Sequence, residues 1–265
     1  MLVKRVLSAV ILIPVALAAV YFGGIPLAIV TLIAALLAGY EYLDMMRRID
    51  LHPSRLFGLA FIAALVADAA WPEQGILPIA LVVFVIATLT HAVTRRNMPG
   101  SLQSWALVLA GGLYIGYMAG FVLRLRALEN GIAWLALALV STWVSDTGAY
   151  FVGCSIGKRP FFPHISPKKT LEGFGGAMVT GIAVVLVMGW LLLGLNVLQG
   201  VLLGVVLVLA ATFGDLAESV IKRQVGIKDS GNLIPGHGGA LDRIDSLLFV
   251  IPAVYYTATV LVNLS

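Results

Sequence analysis

The chain has 265 residues, 60% of them hydrophobic and only 11% charged, with a mean hydropathy of +1.02. That composition excludes an ordinary soluble domain, and the single Cys154 excludes an intramolecular disulfide framework. The formal net charge of +4 fits Lys and Arg facing anionic lipid, since no basic stripe interleaved with aromatics points to nucleic acid.

Nine apolar runs follow one another, at about 6–22, 25–43, 56–71, 75–93, 105–123, 131–150, 173–194, 197–220 and 246–263. They approach the roughly 20 residues that a helix needs to cross a hydrocarbon layer about 30 Å thick. The runs are solidly apolar rather than alternating, which predicts helices and not a closed barrel. The expected fold is an all-α polytopic transmembrane protein of about nine spans, with its polar site in the C-terminal half. We expect a single integral membrane domain, with residues 1–130 as scaffold and 131–265 as the catalytic half. Lys4 and Arg5 before the first run could also open a secretory signal peptide, but the spans that follow favour an uncleaved first helix.

With nine spans, alternate loops collect very different charge. Lys4, Arg5, Arg47, Arg48, Arg55, Arg95, Arg96, Lys158, Arg159, Lys168, Lys169, Lys222, Arg223, Lys228 and Arg243 fall on one side, 15 cations, and only Arg124 and Arg126 on the other. Cytoplasmic loops carry the excess of Lys and Arg. The N-terminus and the polar segments are therefore expected inside and the C-terminus outside.

Polar residues are sparse in the first half. Glu41, Asp44, Arg47, Arg48 and Asp50 read as a solvated helix end, and Asp68 and Glu73 around Trp71 and Pro72 as an outer interface. Gly112, Gly116 and Gly120 recur every four residues on one helix face, a stripe suited to internal helix packing or to a homodimer seam. The second half carries three polar segments, Ser141–Tyr150, Gly157–Gly176 and Asp215–Ser246. Asp146 lies near the inner end of its span, three residues after Trp143. Pro167 and Thr170 suggest that a helix begins within Ser166–Gly173. Lys168 and Lys169 at such a start oppose the helix dipole and make more sense beside a bound anion. Lys158 and Arg159 read as topology determinants.

The stretch from Asp215 to Asp245, DLAESVIKRQVGIKDSGNLIPGHGGALDRID, concentrates acids, bases, a histidine and glycines in an otherwise apolar chain. Charged groups beside membrane segments are costly and mark function. Asp215, Glu218 or Ser219, and Lys222 share one helical face. Gly226 to Gly239 cannot extend that helix, and Asp229, Ser230, Gly231, Asn232 and Pro235 are turn formers. If the loop doubles back, Asp215 and Asp242 converge. Such carboxylates suit Mg²⁺, which takes oxygen ligands and shares them with phosphates. Lys222, Arg223, Lys228 and Arg243 would face those phosphates, the glycine N–H groups could hold an anion, and His237 could bind phosphate or metal. This mixture describes phosphoryl or nucleotidyl transfer.

Ser219-Val-Ile-Lys-Arg, Lys228-Asp229, Pro235-Gly-His-Gly-Gly and Asp242-Arg-Ile-Asp245 together resemble the signature of the phosphatidate cytidylyltransferase (CDP-diacylglycerol synthase) family. Ser145-Asp146-Thr147-Gly148-Ala149-Tyr150 followed by Gly153, and Ser166-Pro167-Lys168-Lys169-Thr170-Leu171-Glu172-Gly173, resemble that family's two other recurrent segments. The resemblance implies an enzyme of the inner membrane that joins the cytidylyl group of CTP to phosphatidic acid and releases pyrophosphate. It implies a paired metal centre on Asp215 and Asp242, and we expect Asp146 and Glu218 as further ligands or as groups that support the ligands. We expect a catalytic set of Asp215, Asp242, Lys222, Arg223 and His237, and substrate binding by Lys168, Lys169, Ser219, Lys228, Asp229, Gly238, Gly239 and Arg243. Composition alone identifies neither cytidine nor phosphatidate. Other readings are a related lipid-directed CTP user, such as a polyprenol kinase, and a transporter. The one-sided clustering of polar residues speaks against the latter.

Overall fold

The computed structural model describes residue 10 and residues 14–94, 99–233 and 238–262. The expectations resting on Lys4, Arg5, Arg95, Arg96 and His237 fall outside the described residues. The helices are α1 (Gly24–Met45), α2 (Arg55–Ala70), α3 (Ile76–Thr94), α4 (Ser101–Ala127), α5 (Gly131–Ile156), α6 (Leu171–Leu193), α7 (Val197–Gln224) and α8 (Leu241–Val262). Among the described residues, six helices are long and apolar enough to cross a membrane: α1 with its 3-10 extension to Ile49, and α3 to α7. The protein is thus a polytopic helical membrane protein. At 16 residues, α2 is short for a span, and α8 carries Asp242, Arg243 and Asp245 at its start.

The chain divides into two compact units, one of residues 1–124 and 224–244, the other of residues 125–223 and 245–265. In the first unit, Phe61, Leu65 and Ala80 form a buried cluster that Phe84, Leu109 and Tyr117 flank. The glycine stripe of α4 lies against α2. A Cβ at Gly116 would stand 2.8 Å from Ile62 Cα, and one at Gly112 would enter the Phe61 ring. Internal packing therefore uses the stripe, because only bare backbone lets the two helices come this close. Residues 112–117 of α4 take a π-helical turn here. Asp68 is buried, not at a surface: its carboxylate pairs with Arg124 at 2.7 Å and accepts the Leu77 N–H at 2.8 Å. Asp44 pairs with Arg55, whose guanidinium also covers the Tyr40 ring.

In the second unit, α5 and α6 pack closely along their length. Small residues allow it: a Cβ at Gly148 would lie 2.1 Å from Thr180 Oγ1, and one at Gly176 2.6 Å from Val152. Between α5 and α6 the chain forms a small antiparallel hairpin, β1 (Pro160–Phe162) and β2 (Ser166–Thr170). This corrects two expectations. The fold is not purely helical, and Lys168 and Lys169 sit on a strand rather than at a helix start. The helix begins only at Leu171, because Thr170 is the N-cap and its hydroxyl accepts the Gly173 N–H at 3.1 Å. Glu172 closes the hairpin by accepting the N–H groups of Lys158 and Arg159, each at 3.1 Å.

Candidate functional site

The residues at the C-terminal end of α7 form the predicted face. Asp215, Ser219 and Lys222 repeat at helical spacing, and Ser219 Oγ donates to Asp215 Oδ1 at 3.4 Å. Glu218 is fully buried and ion-paired with Lys222 one turn on. Asp215 Oδ2 meets Lys169 Nζ, from β2, at 2.5 Å. The strand thus places Lys169 on an internal acid. Lys168, its neighbour in β2, is exposed.

Two further acids join Asp215 in the same unit. Asp146 of α5 feels the negative charge of Asp215 and the positive charge of Lys169. Asp245 of α8 feels the negative charge of Asp215 and the positive charge of Lys222 and lies within hydrogen-bonding reach of Glu218. Gly214 explains the approach of α8. A Cβ there would stand 2.9 Å from Asp245 O and 3.0 Å from Ser246 Cα, so glycine lets α7 and α8 touch beside the two aspartates. Asp245 closes the Asp242-Arg-Ile-Asp245 motif, whose local pattern gives it no role of its own. Its spacing of three from Asp242 on the first turn of α8 was the available signal.

These residues carry four acids, Asp146, Asp215, Glu218 and Asp245, and two bases, Lys169 and Lys222, a formal excess of two negative charges (four minus two). Every acidic donor is a hard oxygen, the ligand type that Mg²⁺ takes. Among the described residues, no three His, Cys, Asp or Glu side chains already close around a common metal position. The donor chemistry and the charge excess fit a divalent cation. The side chains stand in an arrangement where Lys169 supplies the cation for Asp215.

Of the other predicted residues that are described, all but Arg223 belong to the first unit. After Gln224 the chain leaves the helix through Gly226, at φ 73°, as the glycines predicted. Lys228 and Asp229 are exposed in the following bends, and Arg243 is exposed at the start of α8. Asp242 is held firmly: its Oδ2 accepts the Ser230 N–H at 3.0 Å and the Gly239 N–H at 3.1 Å. Gly239 was expected to offer its N–H to an anion. The structure gives that donor to Asp242, because a fixed carboxylate three residues on is the nearer acceptor. Gly238, at φ 83°, takes the left-handed conformation that the turn needs. Arg223 Nε donates to Ile165 O at 3.1 Å, tying the end of α7 to the hairpin within the second unit.

Glu41 is another candidate that the linear pattern hides. It was assigned to a solvated helix end, yet it is 3% exposed and contacts the polar loop through Ser230 and Leu241. An acid one turn inside an apolar helix was a signal in itself.

The sequence profile described as the Cytidylyltransferase family matches residues 3–261. Curated relatives named phosphatidate cytidylyltransferase include one from Bacillus subtilis (strain 168), 34% identical over 261 residues and covering 96% of each chain. One from Staphylococcus aureus (strain COL) is 35% identical over 252 residues, covering 94% of this chain and 95% of its own. Another from Staphylococcus epidermidis (strain ATCC 35984) is 36% identical over 251 residues, with the same coverage.

Proposed function

Because the chain belongs to the cytidylyltransferase family and is a nucleotidyltransferase, we propose that it transfers the cytidylyl group of CTP to phosphatidic acid. A phosphate oxygen of phosphatidic acid forms a bond to the α-phosphorus of CTP. The bond from that phosphorus to the oxygen bridging to the β-phosphate breaks, and pyrophosphate leaves with the electron pair. The products are CDP-diacylglycerol and pyrophosphate.

The observation that carries this reading is the charge excess around Asp215. The phosphatidate oxygen is already an anion near neutral pH, so the step needs no strong base. It needs relief of repulsion between two polyanions. We assign Mg²⁺ to the carboxylates of Asp215, Asp146 and Glu218, and to Asp242 on its sequence pattern alone. The ion would neutralise charge on the phosphates and on the departing pyrophosphate. A second ion is part of the same reading.

Lys222, Arg223, Lys228 and Arg243 are proposed to hold phosphate oxygens, with Lys168, Lys169, Ser219, Asp229, Gly238, Gly239 and His237 completing the substrate and catalytic sets. Lys169 can change partner as nucleotide arrives, since its ammonium already serves one anion in the centre. The lipid would reach the site with its acyl chains still in the bilayer. The setting we propose is the cytoplasmic membrane, crossed about nine times, with the N-terminus and the site inside.

Purified protein incubated with labelled CTP, phosphatidate and Mg²⁺ tests the reading. A labelled liponucleotide supports it. A phosphorylated lipid alcohol, formed instead from a polyprenol and CTP, would replace it with the kinase reading.

A further inference from the structure

Burying a carboxylate inside an apolar helix is unfavourable unless its oxygens find donors, and near a helix C-terminus the macrodipole opposes it further. Glu41 sits in that position, one turn before the end of α1, and is 3% exposed. Its partners are far away in sequence. Oε2 accepts the Ser230 hydroxyl at 3.1 Å and the Leu241 N–H at 3.0 Å. The second is one of the backbone donors that the first turn of α8 cannot satisfy within the helix.

Ser230 extends the connection to the acid beyond it. Its Oγ accepts the Asp242 N–H at 3.4 Å, and its own N–H donates to Asp242 Oδ2 at 3.0 Å. Glu41, Ser230 and Asp242 thus form one continuous hydrogen-bonded series. Two glycines make room for it. A Cβ at Gly231 would lie 2.4 Å from Glu41 Oε1, and one at Gly239 would lie 1.8 Å from Ser230 Oγ and 2.7 Å from Glu41 Oε2. A solvated helix end has no need of such a socket.

We propose that Glu41 is a positioning residue for the polar loop: through Ser230 and Leu241 it sets the direction of the Asp242 carboxylate. This rests on the proposed role of Asp242 in cytidylyl transfer. Glu41 touches no reacting atom; it holds the turn that presents one that does.

The experiment uses the full chain in detergent, as wild type and as Glu41→Ala, Glu41→Gln, Ser230→Ala and the Glu41→Ala/Ser230→Ala pair. Amide hydrogen exchange over residues 226–244 and the kinetics of liponucleotide formation are measured in parallel. In Glu41→Ala, exchange should accelerate at Ser230, Gly239 and Leu241 while α1 to α4 stay as protected as in the wild type. Turnover should fall by about 100-fold, the scale of a reacting group displaced by about 1 Å. Glu41→Gln should recover most of the rate, because its amide oxygen can accept the same two bonds. Oε1 has no hydrogen-bond partner among the described residues, so an amide nitrogen there breaks none. The double variant should lose no more than the worse single variant.

Unchanged exchange over 226–244 overturns the proposal, as does unchanged turnover of Glu41→Ala in an active enzyme. So does loss of protection spread across α1 to α4, which would make Glu41 a general support. Should the wild type form no liponucleotide, cytidylyl transfer fails as a reading, and the exchange data alone decide whether Glu41 anchors the loop.

Discussion

Replacing Asp215 with Asn asks whether the carboxylate cluster works by charge. Asn keeps the size of the side chain, and its amide oxygen can still accept the Ser219 hydroxyl, 3.4 Å away in the wild type. What disappears is one of four negative charges set against Lys169 and Lys222. A unit charge about 4 Å from a cation contributes about 4 kcal/mol at an effective dielectric of 20. The Asp215 side chain is 37% exposed, so solvent screening lowers this to about 2–3 kcal/mol. That corresponds to roughly 30- to 150-fold in cation affinity. At limiting Mg²⁺, the purified variant should therefore form liponucleotide at no more than about 3% of the wild-type rate, recovering as Mg²⁺ is raised. A variant that matches the wild type at limiting Mg²⁺, with an unchanged elution profile, would refute the charge argument.

Four other outcomes are expected. Asp68→Ala leaves Arg124 without its buried partner and should destabilise by about 3–5 kcal/mol, read as a lower unfolding midpoint in detergent. Adding Arg124→Leu should recover part of that loss. Gly214→Val forces a side chain against Asp245 O and Ser246, so transfer activity should be lost while the protein still inserts into membranes. Thr170→Ala removes the cap of α6, costing about 1 kcal/mol, and should speed proteolysis within residues 157–170. Chelation by EDTA should stop turnover, and Mg²⁺ but not Na⁺ should restore it.

The long spans were readable because lipid leaves the backbone few choices, so apolar runs of sufficient length become helices. The face shared by Asp215, Ser219 and Lys222 was readable for a similarly local reason, the 3.6-residue period. The end of α7 near Gly226 followed from the turn formers beyond it. The hairpin was not readable. Ser166–Thr170 has a proline, two lysines and a threonine, and only pairing with Pro160–Phe162 makes it a strand.

Glu41, Asp68 and Asp245 show where local reading stops. Each is an acid near the end of an apolar run, and the linear pattern is the same for a solvated end, a buried ion pair and a member of a charge cluster. By itself the sequence determined the membrane class, the helical face of α7 and the family, because these depend on composition, period and spacing. The tertiary structure alone decided that Asp68 is neutralised by Arg124, that Asp245 joins Asp215, and that Glu41 holds the loop before Asp242. The partner of a buried charge is set by which helices glycine allows to touch, and that contact lies across the fold rather than along the chain.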